Sequence, residues 1–494
     1  MGKNFLITTA IDYPSGKPHM GHAYEKICTD VIARFKRLQG VKVHFSTGLD
    51  EHGSKIQKCA EKAGMEPKAY VDRMARFFID LCKAYDISYD DFIRTTEERH
   101  AKVVNQIFER VNSSGDIYKG EYEGPYCTDC ETYYTEKDLK NGYCPVHKKP
   151  AEYVREESYF FRMSKYQKQL EEHIRKNPDY IMPKGKPEEI LNRMKPGVKD
   201  LSISRTKIDW GLPLPIDKKH TQYVWMDALI NYLSTIGGPE SSEFKEYWPA
   251  LHIIGTDIVW HHTVIWGSIL MSAGIELPRV FVHGFINLKG QKMSKSGGAV
   301  VDPMELAKKY PSDAIRYFLI RDIPFGEDGD FSEDALKERI NGELVSDLGN
   351  LTSRVLTLAE KAGVKPEGKP ELEKELNIGK VERHMEKLEL HLALDEVMRF
   401  VRAANKYINE KEPWKLMKDE MRARPASSKK LGSVIYNLLE SLRIIGILIE
   451  PFMPNTSKAI NEQLGVEKGL LKDCVFREWD GNAKKGEYLF QKIE

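Results

Sequence analysis

Cysteine is scarce in this chain. Seven cysteines in 494 residues do not read as a disulfide framework, which sets aside the small cross-linked secreted class. An excess of charge of either sign is missing too: 75 basic residues face 74 acidic ones, a formal net charge of +1. A polyanionic partner would have to be met by local basic patches, not by the field of the whole molecule. No apolar run suits a bilayer. The longest, SVIYNLLESLRIIGILIEPF, is interrupted by Glu440, Arg443 and Glu450, as in an amphipathic bundle helix. MGKNFLITTA has neither a signal-peptide core nor a cleavage site, so a cytoplasmic protein with no membrane contact is expected. Internal repeats and low-complexity tracts are also absent.

What is present is a chain well beyond the roughly 100–200 residues of one domain. FLITTAI predicts a buried strand, and Ala23, Ile27, Val31, Phe35 and Leu38 recur at helical spacing until Gly40. The strand VKVHFSTGLD follows, completing a βαβ unit and making the fold class α/β with a parallel sheet. Pro67 opens a further helix with Tyr70, Val71, Met74, Phe77, Phe78 and Leu81 on one face, DFIRTT reads as a strand, and Thr95 with Glu98 predicts a capping box. From about residue 114 to 222 the texture changes to short strands and turns. The α/β pattern then resumes with ALHIIGTDIVWHH and RVFVHGFINL, so the sheet domain is split by an insertion. The expected divisions are 1–113 and 223–285 for the Rossmann-like sheet domain, 114–222 for the insertion, 286–347 for a KMSKS and stem-contact region, and 348–494 for an all-α helical bundle.

Three motifs carry chemistry. DYPSGKPHMGH lies where the first strand ends and the helix begins, the ligand-binding edge of a parallel sheet. Gly21 lets a planar group approach the backbone, while His19, His22 and the helix N-terminus offer donors to phosphate oxygens. LKGQKMSKSGG sets Lys289, Lys292 and Lys295 on a glycine- and serine-rich loop able to close over a triphosphate. Finally, Cys127, Cys130, Cys144 and His147 form two ligand pairs separated by thirteen residues. Three thiolates and an imidazole complete a closed tetrahedral structural zinc site, one per chain.

HMGH and KMSKS together resemble the two signatures of class I aminoacyl-tRNA synthetases, and the whole chain resembles the methionyl-tRNA synthetase family in its one-knuckle zinc form. HMGH departs from the usual HIGH by Met20, a volume-conserving swap. The resemblance implies ATP-dependent activation of L-methionine to methionyl-adenylate and transfer to initiator and elongator tRNA(Met), with Mg²⁺ accompanying ATP. It implies catalytic roles for His19, His22, Lys292 and Lys295, and ATP contacts from His19, Gly21, His22, Gly255, Asp257 and Lys295. Arg205 resembles an arginine on the pyrophosphate side.

Helical spacing sets Trp225, Ala228 and Tyr232 on one face and Ile258, His262 and Trp266 on another, where core packing is the ordinary role. The resemblance makes these six, with Ile11, Tyr13 and Asp50, the methionine site. Aromatic rings suit a thioether, and a Tyr hydroxyl or an imidazole donor can reach the sulfur weakly. In the helical region, the resemblance assigns Asn350, Arg354 and Trp414 to the anticodon, by edge hydrogen bonds and stacking. Arg402, Lys406, Lys411, Lys415, Lys418, Arg422 and Arg424 could follow phosphates, although such faces are usually just solvated.

Two rivals remain at this level. A synthetase for isoleucine, valine or leucine would carry a long editing insertion, whereas 114–222 is short and largely taken by the cysteine module. A non-catalytic tRNA-binding relative would be expected to lose a signature, and both are intact. The chain ends at Glu494 without the additional C-terminal tRNA-binding domain of some members, so a monomer is expected, with a separate tRNA-binding protein as a possible partner.

Overall fold

FLITTAI forms the strand Phe5–Thr9 (β1), with four of its five residues buried, as an unbroken apolar run requires. With it run Val43–Leu49 (β2), Asp91–Arg94 (β3), Ile181–Met182 (β4), Leu251–Gly255 (β5) and Arg279–His283 (β6). All are parallel, in the spatial order β3-β2-β1-β5-β6-β4. The order reverses between β1 and β5, and a crevice opens at the carboxyl ends of strands at such a point. This computed structural model describes residues 4–128, 132–134, 139–145, 148–288, 291–292, 301–420 and 425–494, with only the backbone for 132–133, 291–292, 419–420 and 425–427.

The chain divides into two units. The first comprises Met1–Thr29, Val43–Lys83 and Tyr89–Gly284, and the second Asp30–Lys42, Ala84–Ser88 and Phe285–Glu494. The helix Met20–Leu38 (α1) begins inside HMGH, with His22 in its first turn and His19 just before it, and Gly40 ends it at φ 79°. The helix Pro67–Ala84 buries Tyr70, Val71, Met74, Phe78 and Leu81 of the face its spacing predicts and leaves Phe77 half-buried. Thr95 and Glu98 do not form the expected capping box. The helix Glu98–Ser113 follows Glu97 with no side-chain cap, and Thr95 Oγ1 instead accepts the Glu51 N–H at 2.9 Å. Thr95 thus serves the loop after β2, a tertiary use that local sequence cannot announce.

The segment 114–222 builds a four-stranded antiparallel sheet from Ile117–Cys127, Thr132–Tyr133, Glu152–Phe161 and Leu201–Ser202. It also returns β4 to the edge of the parallel sheet, pairing Ile181 with Val280. A two-residue strand is too short to show a period, so the sequence did not reveal it.

The second unit is mostly helical. Arg316, fully buried, donates to the carbonyls of Tyr85, Pro451 and Phe452 at 2.8–2.9 Å and pairs with Asp30 at 2.8 Å. That explains why 30–42 and 84–88 belong with the C-terminal half: an unpaired guanidinium there would be prohibitively costly. The helix Pro425–Ile449 carries the long apolar run, and 94% of its most apolar window is buried. Glu440 and Arg443 lie inside it, paired at 2.7 Å.

Candidate active site

The loop after β1 stays beside β2. Asp12 donates its N–H to Gly48 C=O at 2.9 Å, and Asp50 N–H donates to Asp12 C=O at 2.9 Å. The carboxyl ends of β1 and β2 thereby hold Asp12, Tyr13 and Asp50 together. From this edge α1 starts with the two signature histidines. Their rings stack with centroids 3.8 Å apart and an interplanar angle of 27°. His19 Nδ1 accepts the Gly21 N–H at 3.1 Å, and His22 Nδ1 accepts the His19 N–H at 3.0 Å. A nitrogen that accepts carries no proton, so each neutral ring is an Nε2–H tautomer. A Cβ on Gly21 would stand 3.0 Å from His19 Cε1 and Nδ1, so only glycine leaves this arrangement undisturbed.

Beneath the pair lies a charge network without a sequence signal. Lys26, fully buried, pairs with Asp12, whose other oxygen is 3.9 Å from His22 Nε2. Burial alone would lower the Lys26 pKa, but Asp12 outweighs it and raises it. Across the switch point His283, last residue of β6, meets Glu25 at 2.8 Å through Nε2 and the Gly284 carbonyl at 2.8 Å through Nδ1. Both ring nitrogens face acceptors. Burial works against the cation, but Glu25 overcomes it and raises the His283 pKa. Asp257, exposed in the turn after β5, reaches back so that Oδ1 lies 2.9 Å from where a Gly255 Cβ would stand. His283 Cε1 is 3.9 Å from the same point, so Gly255, Asp257 and His283 are neighbours. Lys292 pairs through its backbone with Asn287, in the three-stranded sheet of the second unit. Lys289 and Lys295 lie outside the described residues.

The proposed pocket residues also gather. Tyr232 and Trp266 belong to one buried cluster, against which Tyr13, Trp225 and Ile258 pack; Ala228 is buried and Ile11 half-buried. Tyr232, His262 and Trp266 lie with ring centroids 5.7 and 6.2 Å from Tyr232. The expected donors to sulfur, however, are already committed. His262 Nδ1 donates to the Ile258 carbonyl at 3.0 Å, which leaves Nε2 as acceptor for the Tyr232 hydroxyl at 2.6 Å. A thioether here would meet ring faces and edges, not an O–H or N–H donor. Trp266 Nε1 likewise donates to His252 Nε2 at 3.4 Å, and His252 Nδ1 faces Thr8 Oγ1 at 2.8 Å.

Regular helical spacing missed His261. Residues His261–Ile265 form a π-helical turn, whose extra residue rotates the following faces. His261 stacks on Trp225 at 3.9 Å and 19°. Burial pulls the pKa of His252 and His261 well down and that of His262 down to about 4.

The cysteine module is described in part. Cys127 ends the strand Ile117–Cys127, and Cys144 sits in a turn closed by Lys148 N–H to Cys144 C=O at 2.8 Å. Both thiols are buried, and Cys144 Sγ lies 3.5 Å from the Tyr134 hydroxyl. Cys130 and His147 fall outside the described residues, among which no group of three metal donors occurs. Two buried thiols, one at a strand end and one in a turn, fit a thiolate-rich site. Arg205 is buried, bonded to Glu156 at 2.9 Å and stacked over Tyr126, so it is no surface ion pair.

In the second unit Asn350, exposed, opens the helix Asn350–Ala362 and Arg354 follows one turn later. The Arg354 guanidinium lies 5.8 Å from the Trp414 ring and donates to Asn409 Oδ1 at 2.8 Å. Trp414 is 40% exposed, unusual for tryptophan. The expected phosphate-tracking cations are largely paired with carboxylates: Arg402 with Asp395, Lys406 with Glu410, Lys411 with Glu371 and Lys415 with Glu412. Lys418 is on the helix Pro413–Glu420, and Arg422 and Arg424 lie outside the described residues.

Known families agree with this geometry. The family described as tRNA synthetases class I (M) matches residues 5–153 and 134–356, and the anticodon binding domain of methionyl tRNA ligase matches 361–488. The chain belongs to the methionyl-tRNA synthetase family. Methionine–tRNA ligase of Caldanaerobacter subterraneus subsp. tengcongensis is 50% identical over 513 residues, covering 100% of this chain and 80% of the relative. That of Clostridium tetani is 46% identical over 512 residues, covering 100% and 79%. Mycobacterium tuberculosis methionyl-tRNA synthetase in complex with methionyl-adenylate superposes with a TM-score of 0.94 at 39% identity, over 99% of this chain and 100% of that one. The chain is therefore a class I aminoacyl-tRNA ligase, and the Rossmann-like sheet with a helical C-terminal region is the fold of its methionyl-tRNA synthetase neighbours.

Proposed function

We propose that this chain joins L-methionine to ATP as methionyl-adenylate at the β1–β5 switch point and then transfers the methionyl group to the terminal ribose of initiator and elongator tRNA(Met). The observation that carries this reading is the stacked His19–His22 pair, both Nε2–H tautomers, at the carboxyl end of β1. A methionine carboxylate is already ionised at pH 7 and needs no general base. It attacks the α-phosphorus in line, the bond to the bridging oxygen breaks, and pyrophosphate leaves. Catalysis is then positioning and charge stabilisation.

In this reading His19 and His22 donate from Nε2 to phosphate oxygens, with Gly21 leaving room for the nucleotide. Lys292 and Lys295 neutralise charge growing on the leaving pyrophosphate. Asp257 beside Gly255 holds the ribose. Asp50 binds the amino group, and Tyr13, Trp225, Ala228, Tyr232, Ile258, His262, Trp266 and Ile11 enclose the side chain. Neutral His252, His261 and His262 suit an uncharged thioether. Mg²⁺ enters with ATP.

Zinc held by Cys127, Cys130, Cys144 and His147 stabilises the insertion and supplies no reacting group, because a four-ligand site has no open position. Asn350, Arg354 and Trp414 read the anticodon, Trp414 by stacking. The same reading places the enzyme in the cytoplasm. Its test is amino-acid-dependent exchange of pyrophosphate into ATP, which needs the adenylation machinery and no tRNA.

A further inference from the structure

One carboxylate outside the residues just assigned ties the two walls of the pocket together. Asp227 lies on the short helix Val224–Ala228, two residues after Trp225 and next to Ala228. It is buried at 1% exposure. Its Oδ2 accepts from His52 Nδ1 at 2.6 Å and its Oδ1 from His100 Nε2 at 2.7 Å. His100 Nδ1 in turn meets Ser234 Oγ at 3.0 Å, and that hydroxyl donates to the Ile230 carbonyl at 3.1 Å. The chain of contacts runs through residues that are all buried, from the loop after β2 to the helix Glu98–Ser113 and on to the helix Asn231–Ser234.

His52 stands two residues beyond Asp50, and its carbonyl accepts the Tyr13 hydroxyl at 2.9 Å. The edge of Trp210 rests on its ring at 5.5 Å, and Trp210 Nε1 donates to Glu51 C=O at 2.6 Å. The loop bearing Asp50 is therefore held by side chains as well as by backbone bonds to Asp12 and Trp210. Among these side chains Asp227 comes from the helix that also presents Trp225 and Ala228.

We infer that Asp227 is a positioning residue for amino-acid recognition, fixing through His52 the distance between the Asp50–Tyr13 wall and the Trp225–Ala228 wall. An amino acid bound at its amino group by one wall and at its side chain by the other must match that distance. Loosening the link should weaken methionine binding while leaving the ATP contacts, which lie on α1 and after β5, in place. A group that merely supports the fold would not distinguish the two substrates. The inference rests on the pocket assignment given above.

The experiment measures KM for methionine and for ATP, with kcat, by pyrophosphate exchange in Asp227→Asn, His52→Ala, His52→Asn and Trp225→Ala, with thermal unfolding of each. Asn at 52 can place an amide N–H where His52 Nδ1 stands, so it conserves the bond that Ala deletes. The expected result is a rise in methionine KM of about tenfold or more in Asp227→Asn and His52→Ala, with ATP KM within about twofold of the parent. His52→Asn should recover most of the affinity lost in His52→Ala. Equal changes in both KM values, a loss confined to kcat, or no recovery in His52→Asn would overturn the inference. If Asp227→Asn does not fold, the two His52 variants decide. A Trp225→Ala variant with unchanged methionine KM would instead remove the pocket assignment, and this inference with it. A raised methionine KM in Trp225→Ala with none in His52→Ala would defeat the inference alone.

Discussion

The rings of His19 and His22 lie one over the other, 3.8 Å between centroids, and the His19 backbone N–H donates to His22 Nδ1. One helix-initiating turn thus fixes both the stacking and the tautomers. It follows that the proton of a neutral His19 ring is on Nε2, and that a replacement should be judged by which ring nitrogen it imitates.

Glutamine at 19 can carry an amide N–H near the Nε2 position, whereas asparagine reaches only the Nδ1 position, which faces the Gly21 N–H. His19→Gln should therefore retain a faster adenylation rate than His19→Asn. Losing the donor altogether should cost roughly a hundredfold or more. Single-turnover adenylate formation measures both. An asparagine variant as fast as the glutamine variant would contradict the tautomer assignment.

The buried histidines make stability depend on pH. His262 is held down to about 4 by burial, so the folded state keeps it neutral while the unfolded chain takes up a proton below about 6.5. Its contribution is complete above that value and is lost as pH falls towards the folded pKa, about 3 kcal/mol in all. His283, raised by Glu25, acts in the opposite direction, so the comparison must be made between variants. Urea unfolding at pH 7.5 and 5 should show a smaller acid loss in His262→Leu than in the parent. The same loss in both would show that His262 titrates normally.

Metal analysis checks the insertion. About one zinc per chain should be found, and Cys144→Ala should release it, since three remaining ligands bind far more weakly than four. A native preparation free of metal and fully active would refute the site.

Trp414 separates the two ends of the reaction. Stacking on a base is worth about 1–3 kcal/mol, so Trp414→Ala should slow tRNA charging by roughly ten- to a hundredfold and leave pyrophosphate exchange alone. Arg354, 5.8 Å from the ring, would lose its packing partner in the same variant. Equal losses in both assays would make Trp414 a structural residue.

Much of this architecture is legible in the sequence because it is periodic. The unbroken run at Phe5–Thr9 gave the central strand, and the spacing of Tyr70, Val71, Met74 and Phe78 gave a helix face that is indeed buried. What escaped was long-range or irregular. Thr95 caps no helix because it serves Glu51, 44 positions away. His261 was passed over because its partner, Trp225, lies 36 positions away on another helix, and no spacing within its own helix announces that stack. Lys26, His283 and Asp227 have no motif of their own: each matters through a buried partner from elsewhere in the chain. The bond between Tyr232 and His262 escaped for the same reason, being a contact 30 positions apart.

The central claim is that the β1–β5 site activates methionine. Pyrophosphate exchange into ATP, measured with each of the standard amino acids in turn and without tRNA, tests it most directly. The account predicts exchange dependent on methionine, with isoleucine, valine and leucine slower by about a hundredfold or more in kcat/KM, because each lacks the thioether reach that the aromatic pocket fits. Exchange driven equally well by another aliphatic amino acid, or no exchange with methionine in a folded, zinc-loaded protein, would contradict it.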